Sequence, residues 1–249
     1  MDFVEILEHH LLDHKIVKLF TVAGQTFYLT THILMMAIAS FILLSLLLVA
    51  RKQSGDVSTG WANFFELFIV YIRDEIVRPN LGSAGDKYLP YFLTLFFFIL
   101  FCNLLGMVPF GATATGNIAV TAGMAMTTFL MINISGIREH GFIHYMQTFI
   151  PHGLPFWLVP LMFVIEILGL FTKSFALCIR LFANMIAGHI VILAFLGLIF
   201  IFKSIFIAPV SIAAAVGLGL LELFVAFLQA YVFTLLTAVF VGGAVNPQH

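Results

Sequence analysis

Charge is scarce in this sequence. Only 9% of its 249 residues are Asp, Glu, Lys or Arg, against about 25% in a soluble domain. That scarcity excludes a solvated globular domain, and no basic run offers itself to nucleic acid. Cysteine is nearly absent too. Cys102 and Cys178 both sit in apolar stretches without metal-ligand spacing, and they read as small buried hydrophobes. There is no glycine-rich phosphate loop, no nucleophile beside a base and no metal cluster, so no covalent chemistry, metal or cofactor is expected. The N-terminus, MDFVEILEHHLLDHK, has no basic segment ahead of an apolar core and does not read as a cleavable signal peptide.

What is abundant is apolar surface, at 62% of the residues. The expectation is an all-α polytopic membrane protein with about five membrane-embedded helices and one amphipathic interfacial helix. Residues 1–25 read as a polar external segment. Its His9, His10 and His14 stand beside acids and read as a solvated surface rather than a metal site. The first span covers 26–50, close to the ~20 apolar residues a bilayer needs, and stops at Arg51-Lys52. A turn-rich linker, 53–60, follows. Segment 61–80 mixes aromatics with Glu66, Arg73, Asp74, Glu75 and Arg78, too charged to span easily, and reads as an amphipathic helix ended by Pro79 and Gly82. Second and third spans fill 88–135, and a loop is expected over 136–153. Residues 154–241 hold two long apolar runs. The first, to Phe202, exceeds one perpendicular span and is either a hairpin or a long, steeply tilted helix.

Lys and Arg near the span ends set the orientation. Arg51, Lys52, Arg73, Arg78, Lys87 and Arg138 outnumber Lys15, Lys18 and Lys203 on the other side. This predicts the N-terminus outside and, after five embedded segments, the C-terminus inside. A bacterial cytoplasmic membrane is the expected setting, with an organelle-encoded origin as the alternative.

The exceptions to apolarity are concentrated in 165–202 and the run after it. A charge at the bilayer centre costs about 2.5–3.5 kcal/mol on insertion scales, so such residues usually face protein or water. On a helix, Glu166, Lys173 and Arg180 are seven apart and form one stripe that drifts only about 20° per step. Asn184 lies one turn beyond Arg180 on the same side, and His189 points to the opposite side. Arg180 cannot escape the cost of burial by losing its proton. The competing reading is a salt bridge that fixes two helices. On the last run Glu222 and Gln229 share a face, about 10 Å apart along the axis. His189 is the natural partner for Glu222, and a His–Glu pair can pass a proton near neutral pH; a purely structural hydrogen-bonded pair is the alternative. Glu166 and Lys173 either line a polar exit or snorkel to the interface. The set as a whole reads as an ion path.

IRLFANMIAGHIV and LLELFVAFLQAYVFTLL, together with the earlier FCNLLGMVP, resemble subunit a of the rotary ATP synthase membrane sector. The resemblance covers most of the chain from about residue 30. It implies two long tilted helices against a rotating ring of c subunits, each with a membrane-embedded carboxylate, and peripheral-stalk b subunits among the partners. By the same resemblance, Arg180 is the essential charge that separates two offset half-channels, with Asn184 and Gln229 beside it. His189 and Glu222 match the outer half-channel, and Glu166 and Lys173 the inner one. Proton flow would then drive ATP synthesis elsewhere in the complex, with this chain non-catalytic by itself. Three departures stand out. His189 and Glu222 occupy each other's positions relative to some bacterial members, Ala176 stands where some carry serine, and Gly106 where some carry an acid. The alternative function is a stand-alone ion or solute transporter, which would usually show related halves with broken helices, and no internal repeat is evident.

Overall fold

A computed structural model describes residues 15–22, 25–52, 61–108, 113–149, 156–202 and 206–246 of the chain. The cluster His9, His10 and His14 and the linker 53–60 lie outside these residues. The described chain opens with an antiparallel hairpin, β1 (Lys15–Val22) paired with β2 (Gln25–Thr30), Lys18 opposite Tyr28 and Thr21 opposite Thr26. This differs from the sequence reading, which began the first helix at about residue 26. Aromatic and β-branched residues in QTFYLT favour an extended, paired backbone, and helix α1 begins only at Thr31, running Thr31–Lys52.

The amphipathic segment is helical throughout, as α2 (Trp61–Tyr71), a π-helical stretch (Ile72–Val77) and α3 (Arg78–Leu81). Ile72, Ile76, Val77 and Leu81 are buried while Asp74 and Arg78 are exposed, the division that gives such a helix two unlike faces. Pro79 does not end it. The helical backbone continues through the proline to Leu81, and Gly82, at φ +62°, turns the chain. Arg73 and Arg78 both bind Asp74, at 2.9 and 3.1 Å.

Four described helices are long and apolar enough to cross a membrane: α4 (Gly85–Gly106), α5 (Ile118–His140), α7 over Val159–Ile199, and α8 (Ile207–Val245). Helix α1 adds a shorter apolar stretch, Thr31–Leu46. In α5 the hydroxyls of Thr121, Thr127 and Ser135 donate to carbonyls one turn back, which satisfies them where lipid cannot. The expected loop 136–153 is in part helical. Helix α5 continues to His140, Gly141 at φ +77° breaks it, and a short α6 (Phe142–Gln147) follows. The open alternative for the next run closes in favour of one helix: α7 spans Val159–Phe202, 44 residues without interruption. At 1.5 Å per residue that is about 66 Å, twice a hydrocarbon core, which a helix accommodates by tilting.

These helices pass through two compact units. One comprises Val49–Phe96, Ala122–Ile179 and the chain from Tyr231. Its buried residues include Ile72, Phe92, Phe96, Leu177 and Phe233. Lys87 and the Tyr88 hydroxyl both donate to Glu139, at 2.5 and 2.9 Å. The other comprises the chain up to Leu48, Phe97–Thr121 and Arg180–Ala230. Its core pairs apolar Ile99, Leu181, Met185 and Ala226 with buried polar groups, among them Asn103, Thr113, Thr115, Glu222 and Gln229.

Candidate functional site

The buried polar groups of this second unit are linked, because a polar atom withdrawn from both water and lipid must find its partner inside the protein. Gly188 and His189 sit on α7, and Glu222 on α8. The His189 ring donates from Nδ1 to Glu222 Oε1 at 2.5 Å. Glu222 is only 6% exposed and the His189 side chain 20%. Gly188 makes the approach possible, since a Cβ there would lie 2.9 Å from the same Oε1.

The other face of the imidazole is also occupied. Nε2 lies 2.5 Å from Thr113 Oγ1 and 3.2 Å from the Gly106 carbonyl oxygen. Thr115, two residues on, donates to Asn103 Oδ1 at 2.7 Å, and Asn103 Nδ2 donates to the Ala226 carbonyl at 3.2 Å. Ala226 is one turn from Glu222 on α8. A charged imidazolium on Glu222 and a neutral imidazole on Thr113 are both accommodated, so the cluster can hold a proton or release it.

Arg180 and Asn184 occupy consecutive turns of α7, and both are exposed. Asn184 Nδ2 donates to Gln229 Oε1 at 2.8 Å. Gln229 is 4% exposed, and its Nε2 has no acceptor among the described residues. Arg180 makes no hydrogen bond or ion pair among the described residues, so its charge, permanent at any ordinary pH, points outward unpaired. Between α7 and α8 an open groove of about 200 Å³ is lined by Asn184, Ala187, Gly188, Val191, Leu221 and Glu222. Its wall is apolar apart from the amide and the carboxylate.

Glu166 and Lys173 belong to the other unit. Glu166 is exposed, without a partner among the described residues. The Lys173 ammonium, also exposed, lies 5.6 Å from the Phe240 ring centroid, within cation–π range. The structure thus brings His189 to Glu222 and Asn184 to Gln229, and leaves Arg180 and Glu166 unpaired among the described residues. Sequence reasoning missed Thr113 and the part played by the Gly106 carbonyl. The available signal was the alternation of Thr113 and Thr115 in ATATG, shortly after the lone Asn103 of an otherwise apolar span.

Comparison with known proteins agrees with the motifs. The family model described as ATP synthase A chain matches residues 33–242. The chain is similar to ATP synthase subunit a of Chloroherpeton thalassium, with 48% identity covering 90% of this chain and 68% of that one. It is also similar to subunit a of Myxococcus xanthus, at 47% over 89% of this chain and 74% of the relative. An ATP synthase subunit a 2 of Chlorobaculum tepidum is 43% identical over 96% and 72%.

Proposed function

Because the chain belongs to the ATP synthase A chain family, we propose that it is the proton-translocating stator subunit of the synthase membrane sector. In this reading it offers two offset half-channels to the carboxylates of a rotating c-ring and couples proton flow to ATP synthesis. The chain itself carries no catalytic step. It sits in a bacterial cytoplasmic membrane with its N-terminus outside and its C-terminus inside, and c-ring and peripheral-stalk b subunits are its partners.

The observation that carries the reading is Arg180, an exposed, permanently charged side chain on a membrane helix with no partner among the described residues. An outward guanidinium in lipid is costly, and a passing carboxylate on another chain would relieve it. Each ring carboxylate would be drawn to Arg180 in its ionised form. It would therefore give up its proton to one path before Arg180 and take one from the other path after it. Asn184 and Gln229, bonded to each other beside Arg180, orient this surface. His189 and Glu222 form the outer path, where the imidazole passes protons near neutral pH. Glu166 and Lys173 line the inner path.

The test is ATP-driven proton pumping, and passive leak, in membranes carrying the complex with Arg180→Ala. Loss of pumping with the subunit assembled is the expected result. Normal pumping would return Arg180 to the status of a structural charge.

A further inference from the structure

His189 is held from both ring nitrogens, and the two holds differ in kind. On the Nδ1 side stands a carboxylate, which accepts. On the Nε2 side stand a carbonyl, Gly106 O, which only accepts, and a hydroxyl, Thr113 Oγ1, which donates or accepts. An imidazole that gains and loses a proton presents N–H at both nitrogens in one state and a bare lone pair at one of them in the other. With Glu222 and Gly106 alone, the neutral ring bonded through Nδ1 would turn its Nε2 lone pair towards a carbonyl lone pair. The hydroxyl offsets that conflict by rotating to offer a donor. It donates to Nε2 when the ring is neutral and accepts from Nε2–H when the ring is charged.

The segment bearing Thr113 is built to stay there. Thr113 is 6% exposed and Thr115 fully buried. Thr115 is tied through Asn103 to the Ala226 carbonyl, one turn from Glu222 on the same helix. The fit at Gly106 is equally specific: a Cβ on it would overlap the backbone and Cβ of Thr113. Absence of a side chain at 106 is what lets Thr113 reach the ring.

We propose that Thr113 is a positioning residue for the outer proton path, a swivelling hydroxyl that keeps His189 aligned on Glu222 in both of its protonation states. Gly106 provides the space for it and a second acceptor for the charged ring. The inference rests on the reading of His189 and Glu222 as part of a proton path.

The experiment compares ATP-driven proton pumping by complexes carrying Thr113→Val, Thr113→Ser, His189→Ala, and Thr113→Val combined with His189→Ala, each normalised to assembled subunit. Valine keeps the shape and removes the hydroxyl, and should lower the pumping rate about tenfold, as one lost hydrogen bond of about 1–1.5 kcal/mol implies. Serine keeps the hydroxyl and should pump within threefold of the parent. In the His189→Ala background the valine change should cost little more, because a residue acting through His189 has nothing left to position. If the valine complex does not assemble, Thr113→Ala replaces it in the same comparison with serine. Pumping by the valine complex at the parental rate, or an undiminished valine loss without His189, overturns the role of Thr113 and leaves the path itself standing. Normal pumping by His189→Ala overturns both.

Discussion

Gly188 is where the smallest possible change should have the largest readable effect. An alanine there would place its Cβ 2.9 Å from Glu222 Oε1 and 3.1 Å from the carboxylate carbon. That is about 0.5 Å inside ordinary contact for Oε1, the atom that accepts from His189 Nδ1. The crowded group is the far end of a flexible side chain, so it yields by swinging away, and the fold loses little. What is lost is the His189–Glu222 hydrogen bond. A hydrogen bond to a charged group contributes about 1.5–3 kcal/mol. Expressed in the transport barrier, the lower end of that range is about a tenfold slower step and the upper end about a hundredfold. The assay is ATP-driven acidification of inverted membrane vesicles, with assembled subunit quantified in the same vesicles. Glu222→Asp added to Gly188→Ala draws the carboxylate back by one methylene and should restore part of the rate. Pumping within twofold of the parent by a fully assembled Gly188→Ala complex would refute the reasoning.

Gly242 faces a harder obstacle, since its missing Cβ would overlap the backbone carbonyl of Asn80. A backbone does not swing aside, and Gly242→Ala should cost about 1–3 kcal/mol by overpacking, read as a lower midpoint for thermal inactivation of the purified complex. An unchanged midpoint would show that this approach is not close in solution. Outside the spans, a hydrogen bond from Arg73 holds the Asp74 carboxyl below its usual range. The pair therefore favours the packed helix above the ordinary carboxylate pKa, and that contribution fades as the pH falls through the lower folded value. Arg73→Gln should move the Asp74 titration midpoint upward, as followed by its carboxyl carbon resonance, and no movement would remove Arg73 as the cause.

Much of the architecture was legible because lipid enforces simple rules. Runs such as 88–109 and 211–241 can only be helices when every backbone group must be satisfied within the segment. The pairing of His189 with Glu222 was legible for a similar reason, because isolated polar groups in apolar helices have few possible partners. The failures fall where lipid does not decide. QTFYLT leads straight into the helix at Thr31, yet its aromatic and β-branched residues, paired with the neighbouring strand, keep it extended. Pro79 is a helix stop on the sequence alone, yet the backbone switches there from a π-helical to an α-helical stretch and stays helical to Leu81. Thr113 was overlooked because a threonine carries no charge to mark it, and its contact with His189 joins segments remote in sequence.

The outward, unpaired guanidinium of Arg180 also bears on how such a chain is made. A lone copy in the bilayer, before any partner arrives, carries an uncompensated charge worth about 2.5–3.5 kcal/mol against insertion. Meeting a carboxylate-bearing partner would relieve that penalty, so the unassembled chain is the less stable of its two conditions and is distinguishable from the assembled one by a single exposed group. In the proposed mechanism, the side chain that separates two proton routes in the complex is, in the orphan subunit, the mark of a missing partner.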